Sequence, residues 1–563
     1  FPDARFIVPK LPADRRRLHP SSTCNSIAKL VTNSGLVRRN TETAYVCISA
    51  AYLLVDTIHP MIQNLTDKPN ILYIMADEAI AELMGAYGHP VVKTPNIDKL
   101  VENGVRFDTA YTPFPLCAPG RAAMMTGRHA SSIGAWDNGA SFGSDHPTFA
   151  HYLAQNGYDT VLSGKMHFVG ADQLHGYSRR LNTDIYPEDY KMVRSEWVEM
   201  KESRGEDWVN IMENRDRYNA SNYGPDAVKV DGQHGDLAFD QETHFRALQY
   251  LNARGNNPEP FMLTVSYHHP HEPFWPPTKY WNMYEGEPID IPEFPDNLEE
   301  TRSMMDTWLN AYHGITKFDL RNPESLYRMR RAYYALMSYV DDLVGELISS
   351  LERSGLDKNT IIIFSSDHGD MLVEREMVQK RAFYDYCSRV PLIIKYPDNR
   401  NAGTIVRTPV TTIDLLPTMC EMTGSDASQP HDGDSLLPLI EQEDHDRHVF
   451  VEAHEVVGVP CIMVRKSDWK YNYIHGHEPQ LFNMKEDPKE WNNLAGSSDH
   501  VEVESELKAL ILDEFDPDDM AAENLASIRR RAVIKDVMDK QDVTWAYRPE
   551  FDPRRNVLTQ HLP

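Results

Sequence analysis

From Lys68 onward the chain falls into short apolar runs separated by polar turns. Asn70-Ile-Leu-Tyr-Ile-Met75 is a compact run that ends in Asp77-Glu78. It reads as a strand buried on both faces with acids at its carboxyl end. Similar runs recur at Thr160-Val-Leu-Ser163, Phe261-Met-Leu-Thr-Val-Ser266 and Thr360-Ile-Ile-Ile-Phe-Ser365, and Val105 to Tyr111 is strand-like. Thr94-Pro95-Asn96 marks a helix start, with Pro95 at an early helical position and Thr94 or Asn96 placed to cap it. Arg121 to Thr126 reads as a helix after a proline-punctuated loop from Pro113 to Pro119, and Leu326 to Glu352 as a long one. Strands alternating with helices predict an α/β fold, a mostly parallel central sheet sandwiched by helices, with ligands beyond the carboxyl ends of the strands. From His448 the texture changes to short strands: His448 to Glu452, Cys461 to Arg465, Trp469 to Tyr473 and Gln480 to Asn483. They predict a smaller C-terminal antiparallel α+β subdomain. The tail that follows is acidic and helical, then rich in Pro and Arg, and the chain carries no internal repeat.

At 563 residues the chain exceeds the size at which one core keeps growing. The pattern divides it into an extension (1–66), a catalytic domain (67–445), the small subdomain (446–510) and a tail (511–563). The net charge of −27 argues against nucleic acid and anionic membrane as partners. It leaves a small anionic substrate open, because that responds to the local field of its pocket. Six cysteines (24, 47, 117, 387, 420 and 461) show no CxxC or disulfide-framework spacing, which suits a reducing compartment or an indifferent one. No methionine precedes Met61, and the apolar run Ala44 to Val55 is too short to span a membrane. The expectation is a non-native or poorly ordered extension with the true start near Met61. The cytoplasm is favoured, with a periplasmic or secreted protein as the alternative.

Each cluster of chemistry-bearing residues follows one of the apolar runs. Leu116-Cys117-Ala118-Pro119-Gly120-Arg121 puts a cysteine on a Pro/Gly loop that leads into a helix, near backbone N–H groups and a cation. Alone, that cysteine could equally be a buried one. Asp77 with Glu78, and Asp367-His368-Gly369-Asp370, offer oxygen and nitrogen ligands from two strand ends to one divalent cation. Either acidic pair alone could be a solvated loop or a helix cap. Lys165, His167, the run His268-His269-Pro270-His271 and Lys380 supply cations and proton carriers, which transfer of a doubly charged oxyanion requires.

Cys117-Ala-Pro-Gly-Arg121 followed by Met125-Thr-Gly-Arg128 resembles the signature of type I sulfatases in the alkaline-phosphatase superfamily. The resemblance runs from Lys68 to Ala495. Within that family Leu162-Ser-Gly-Lys-Met-His167, Asp172-Gln-Leu-His-Gly176, Thr183-Asp-Ile-Tyr-Pro187, Ser366-Asp-His-Gly-Asp-Met-Leu372 and Pro479-Gln-Leu-Phe-Asn483 are similar to choline sulfatases. The resemblance implies an alkaline-phosphatase-like fold in which Cys117 is converted to formylglycine by a formylglycine-generating enzyme that reads Pro119 and Arg121. It implies a metal held by Asp77, Glu78, Asp367, His368 and the residue at 117: Ca²⁺ first, Mn²⁺ or Mg²⁺ as alternatives. The formylglycine diol would attack sulfur to give a covalent sulfo-enzyme. Arg121 would hold the diol, Lys165 and Lys380 the sulfate oxygens, His271 would assist the leaving alcohol and His167 would release sulfate. Trp136, Asn138 and His269 are expected to line the pocket, with a structural turn as the alternative for Trp136-Asp137-Asn138, and relatives suggest a homo-oligomer. Met192 falls where choline sulfatases carry a cation-binding Trp, so Tyr190, Trp197 or Trp208 would have to substitute. The tail after Ala521 also departs. The expected substrate is choline sulfate or another small alkyl or sugar sulfate. Two alternatives are a phosphonate monoester or phosphodiester hydrolase of the same superfamily, and a non-catalytic sulfate-binding protein.

Overall fold

The computed structural model describes residues 68–545 apart from 195, 216–218, 225, 233–234, 255–256, 258 and 442–445. The 1–66 extension and the end of the tail lie outside the described residues. The central sheet contains β1 (Asn70–Asp77), β2 (Val105–Phe107), β3 (Asp159–Gly164), β4 (Arg179–Arg180), β5 (Phe261–Pro270), β6 (Thr360–Ser366), β7 (Leu392–Lys395) and β8 (Thr404–Val406). Its strand order is β4-β3-β5-β1-β6-β7-β2-β8. Every pairing is parallel except the two made by β7, which runs against β6 and β2. The expectation of a mostly parallel sheet is met.

β1 shows why an unbroken apolar run is needed. Leu72, Ile74 and Ala76 enter one apolar core, and Ile71, Tyr73 and Met75 enter the other. A strand's side chains alternate between faces, so a sheet covered on both sides needs apolar residues at every position. Among the covering helices are α1 (Pro95–Glu102), α2 (Cys117–Thr126), α3 (Gly235–Arg254) and α4 (Pro323–Ser354). The 32-residue α4 starts with Asn322, whose side chain accepts from Ser325 N, and Pro at its first turn; it stops at Gly355 with φ 69°. Leu336, Val340 and Val344 on α4 are fully buried.

Three local expectations are corrected. Thr94 stands at the N-cap of α1 but makes no side-chain cap bond. The Asp341 carboxylate on α4 accepts from Asn96 N (3.0 Å) and Ile97 N (2.8 Å) instead. A charged acceptor from a packed helix thereby satisfies the orphan donors. Val105 to Tyr111 is not one strand: it divides into β2 and a two-residue strand, Ala110–Tyr111, which pairs with Val410–Thr411 in a separate sheet. The helix expected from Arg121 starts four residues earlier, at Cys117.

The second sheet is antiparallel, built from β9 (His448–Ala453), β10 (Cys461–Lys466), β11 (Trp469–Ile474) and β12 (Gln480–Asn483) in sequence order. Val449, Val451 and Met463 pack in one apolar cluster with Met371 and Phe383, which follow β6 in the chain. Phe450, Ile462 and Val464 join another with Leu507 and Ile511 of α5 (Val501–Glu514). The tail continues as α6 (Pro517–Gln541). Arg531 on α6 forms a buried two-point ion pair with Asp137, at 2.6 and 2.7 Å, tying the tail to the turn after α2. Arg531→Ala would leave Asp137 buried without its counter-charge, a loss of about 3 kcal/mol. Thermal unfolding should therefore begin several degrees lower, and α6 amides should exchange faster.

Candidate active site

Four strand ends and one helix start meet at the carboxyl edge of the sheet. β1 ends in Asp77; Asp367 and His368 follow β6; Lys165 and His167 follow β3; and β5 ends in the histidine run. Gly164 with φ 104° allows the close approach of β3 and β5 just before Lys165, because a Cβ there would collide with the Ser266 carbonyl. Cys117, the first residue of α2, points its Sγ into this junction and is 1% exposed. His368 Nε2 lies 3.2 Å from that sulfur, Lys165 Nζ 3.6 Å and Asp77 Oδ1 4.0 Å.

Ligand atoms of Asp77, Cys117, Asp367 and His368 all lie within 4.8 Å of one another. The set fits a divalent cation. The His368 Nδ1–H donates to Gly369 O at 2.9 Å, which leaves Nε2 free to ligate. The Asp77 carboxylate is fully buried, with the Lys165 ammonium against its Oδ2 and its Oδ1 turned toward Cys117. Burial pulls His368 down to about 3, so its ring is neutral, as a ligand must be. Despite its burial, Asp367 is held far below the usual carboxylate range by the Arg121 guanidinium, 2.8 Å away.

Glu78 turns elsewhere. Its carboxylate pairs with Lys380 Nζ at 2.5 Å and lies 3.7 Å from His271 Nδ1, in a second buried group with Glu272. A left-handed backbone at Glu78, φ 60°, separates its direction from that of Asp77. Arg121 is committed too: it bonds Asp367, Lys165 O (2.6 Å) and Ser266 Oγ (2.9 Å) and lies 3.7 Å from Asp77. It thus braces the frame of the site.

The histidines and lysines around Cys117 are distinct in character. His271 donates Nδ1–H to Glu272 O (2.7 Å), so its Nε2 accepts from Lys380 Nζ, 2.7 Å away. His167 is 2% exposed with both ring nitrogens unpartnered, and burial, then the Lys165 charge, pulls it down to about 3. Burial, with Lys380 nearby, brings Lys165 down to about 7. The cysteine goes the other way: burial pushes the Cys117 thiol up to about 12.

The three expected pocket residues separate. Asn138 Oδ1 accepts from Ala118 N at 3.0 Å, which orients the backbone beside Cys117. Trp136 packs against His454 and the C-terminal sheet cluster. His269 is held by Asp240, at 2.6 Å, with its ring against Tyr339. Alternation along β5 aims His268 the other way, to within 3.7 Å of Asp77 Oδ2. His268 therefore joins the cluster where His269 does not.

Sequence reasoning missed Asp184 and Tyr186, although both lie in a stretch that had been singled out. Asp184 Oδ2 accepts from Met166 N and His167 N, each at 2.9 Å. The Tyr186 ring stacks on His167 at 4.3 Å and lies under Lys165 Nζ at 4.5 Å. Of the three aromatic substitutes, Trp197 and Trp208 are buried in the cluster under the C-terminal sheet. Tyr190 packs with Ala118, Val169 and Trp545, its ring 4.5 Å from that of Trp545.

The fold gathers buried carboxylates, imidazoles and ammonium groups at one strand edge, a set suited to the hydrolysis of an oxyanion ester. The family described as Sulfatase matches residues 69–425, and the one described as N-sulphoglucosamine sulphohydrolase, C-terminal, matches residues 373–516. The chain is 37% identical over 446 residues to a choline-sulfatase of Rhizobium meliloti (strain 1021), covering 76% of this chain and 83% of that protein. It belongs to the sulfatase family and is a sulfuric ester hydrolase. Among solved structures, BT4656 in complex with its substrate D-glucosamine-2-N,6-O-disulfate is similar at TM-score 0.61 and 23% identity, over 81% of this chain and 99% of that one. A phosphonate monoester hydrolase of Agrobacterium radiobacter is similar at TM-score 0.60 and 24% identity, over 81% and 96%. At such identities the likeness shows the fold alone. Among the described residues no helix is long and apolar enough to cross a membrane.

Proposed function

We propose that the chain hydrolyses a small alkyl sulfate monoester, choline sulfate first, using a nucleophile made by converting Cys117 to formylglycine. The observation that carries this reading is the buried 117 position at the start of α2, met within 4.0 Å by the Asp77 carboxylate, the His368 imidazole and the Lys165 ammonium. The unconverted thiol is unsuited to attack, because a group pushed up to about 12 stays protonated at neutral pH. Conversion replaces it with the hydroxyls of a hydrated aldehyde.

Asp77, Asp367, His368 and the converted residue would hold the cation, Ca²⁺ first and Mn²⁺ or Mg²⁺ as alternatives. When bound, it supplies Lewis-acid activation and neutralises charge at the sulfate. Lys165 and Lys380 place ammonium groups where the non-bridging oxygens must sit. The His271–Lys380 hydrogen bond offers a proton to the leaving alcohol, and neutral His167, with both nitrogens free of partners, accepts one. Glu78 holds Lys380 in place. Beside Ala118, the Tyr190–Trp545 pair provides aromatic surface for a quaternary ammonium, which the relative of Rhizobium meliloti named a choline-sulfatase makes the leading alcohol.

The test uses protein co-expressed with a formylglycine-generating enzyme and compares choline sulfate, an aryl sulfate and a phosphonate monoester. Choline sulfate is expected to exceed the aryl ester in kcat/KM by about tenfold or more, as one to two kcal/mol of cation–π contact allows. A phosphonate monoester turned over faster than either sulfate would overturn the reading. Chelation is expected to lower sulfate release at least about a hundredfold, with recovery on adding back Ca²⁺ or Mn²⁺.

A further inference from the structure

A cavity of about 600 Å³ opens between the catalytic part and the antiparallel sheet, lined among others by Tyr111, Asp385, Arg389, Arg465, Glu490 and Trp491. None of the residues assigned above to catalysis lines it. Arg465 on β10 is 7% exposed, yet its Nε and Nη1 have no hydrogen-bond partner. Its opposite number on β11 is Lys470, another cation. Lys470 takes both nearby carboxylates, Asp385 at 2.8 Å and Glu490 at 2.7 Å. Asp385 is further engaged by Tyr111 Oη (2.9 Å) and Arg389 (3.3 Å), and Arg389 also holds Glu82 (2.6 Å). Arg465 acts on Asp385 only at longer range, through its charge, and makes no ion pair with Asp385 or Glu490.

Leaving two nitrogens of a buried guanidinium without hydrogen bonds is costly, and buried charges are ordinarily paired. We infer that this cleft binds a small oxyanion, a sulfate, phosphate or carboxylate group, with the Arg465 guanidinium as its counter-charge. A planar array of N–H donors suits such a group. The inference does not depend on the substrate proposed above. An anion here would sit by Arg465 of β10 in the cavity that Arg389 also lines, so it would act on the junction of the two sheets rather than on the sulfur chemistry.

The test measures anion uptake and thermal unfolding of the full chain in sulfate, phosphate, acetate or chloride at matched ionic strength, for the wild type and Arg465→Met. Wild type should take up one anion more than the variant, and its unfolding temperature should rise with that anion. In chloride the variant should melt higher than wild type, because an unpaired buried charge has been removed, and sulfate release should be unchanged. Uptake of sulfate alone would assign the cleft to the reaction's product; equal uptake of all three oxyanions would assign it to free anions generally. Crystals of the wild type soaked in selenate provide a reading that does not depend on the variant folding, with the anion expected beside Arg465. Equal anion uptake by both proteins, or selenate confined to the site beside Cys117, would overturn the inference.

Discussion

Cys117→Ala is expected to reduce sulfate release by at least about four orders of magnitude, because on the proposed reading the nucleophile is made from this residue. The loss should be one of chemistry and not of folding. Position 117 begins a helix, where alanine is well tolerated, and Arg121 four residues on keeps its bonds to Asp367 and Lys165 O. The variant should unfold at nearly the wild-type temperature and still bind the substrate. Measuring kcat together with substrate affinity separates these effects: kcat collapses while affinity stays within a few-fold. A variant that retained more than about a hundredth of wild-type turnover would show that the reaction does not pass through residue 117.

Lys165→Ala should lower kcat by about 10²–10³, the usual loss on removing one preorganised donor from a developing charge. Lys165 Nζ contacts both Asp77 Oδ2 and the sulfur of Cys117. On the proposed reading its removal takes away one clamp on the sulfate, and it leaves Asp77 with one cation fewer. Because Arg121 still faces Asp77 at 3.7 Å, the carboxylate keeps a partner and the fold should survive. Steady-state kinetics with the purified variant checks this; an unchanged kcat with only a raised KM would mean that Lys165 binds the ground state and the transition state equally.

The candidate site was largely legible in the sequence because its parts lie immediately after strands whose burial on both faces forces unbroken apolar runs. β1, β3, β5 and β6 announced themselves this way, and the residues after them meet at Cys117. The directions of side chains at those ends were less legible. Asp77 and Glu78 are adjacent, and a single left-handed backbone angle sends one toward Cys117 and the other toward Lys380. His268 and His269 are likewise separated by strand alternation, whose phase no motif reveals. Contacts between distant segments were not legible at all. Arg531 reaches Asp137 across 394 positions, and Trp545 reaches Tyr190 from a tail with no motif. The weak strands Leu392–Lys395 and Thr404–Val406 were missed because each is four residues or fewer, too short to show a period.

The most direct test of the central claim is to prepare the protein with graded fractions of Cys117 converted, by varying co-expression of the maturing enzyme. The converted fraction is read by mass spectrometry of the peptide spanning Cys117, and sulfate release from choline sulfate is measured on the same samples. The account predicts that release rises in proportion to the converted fraction, from none where residue 117 is all thiol. Release that is independent of that fraction, or absent from fully converted protein loaded with Ca²⁺ or Mn²⁺, would contradict it.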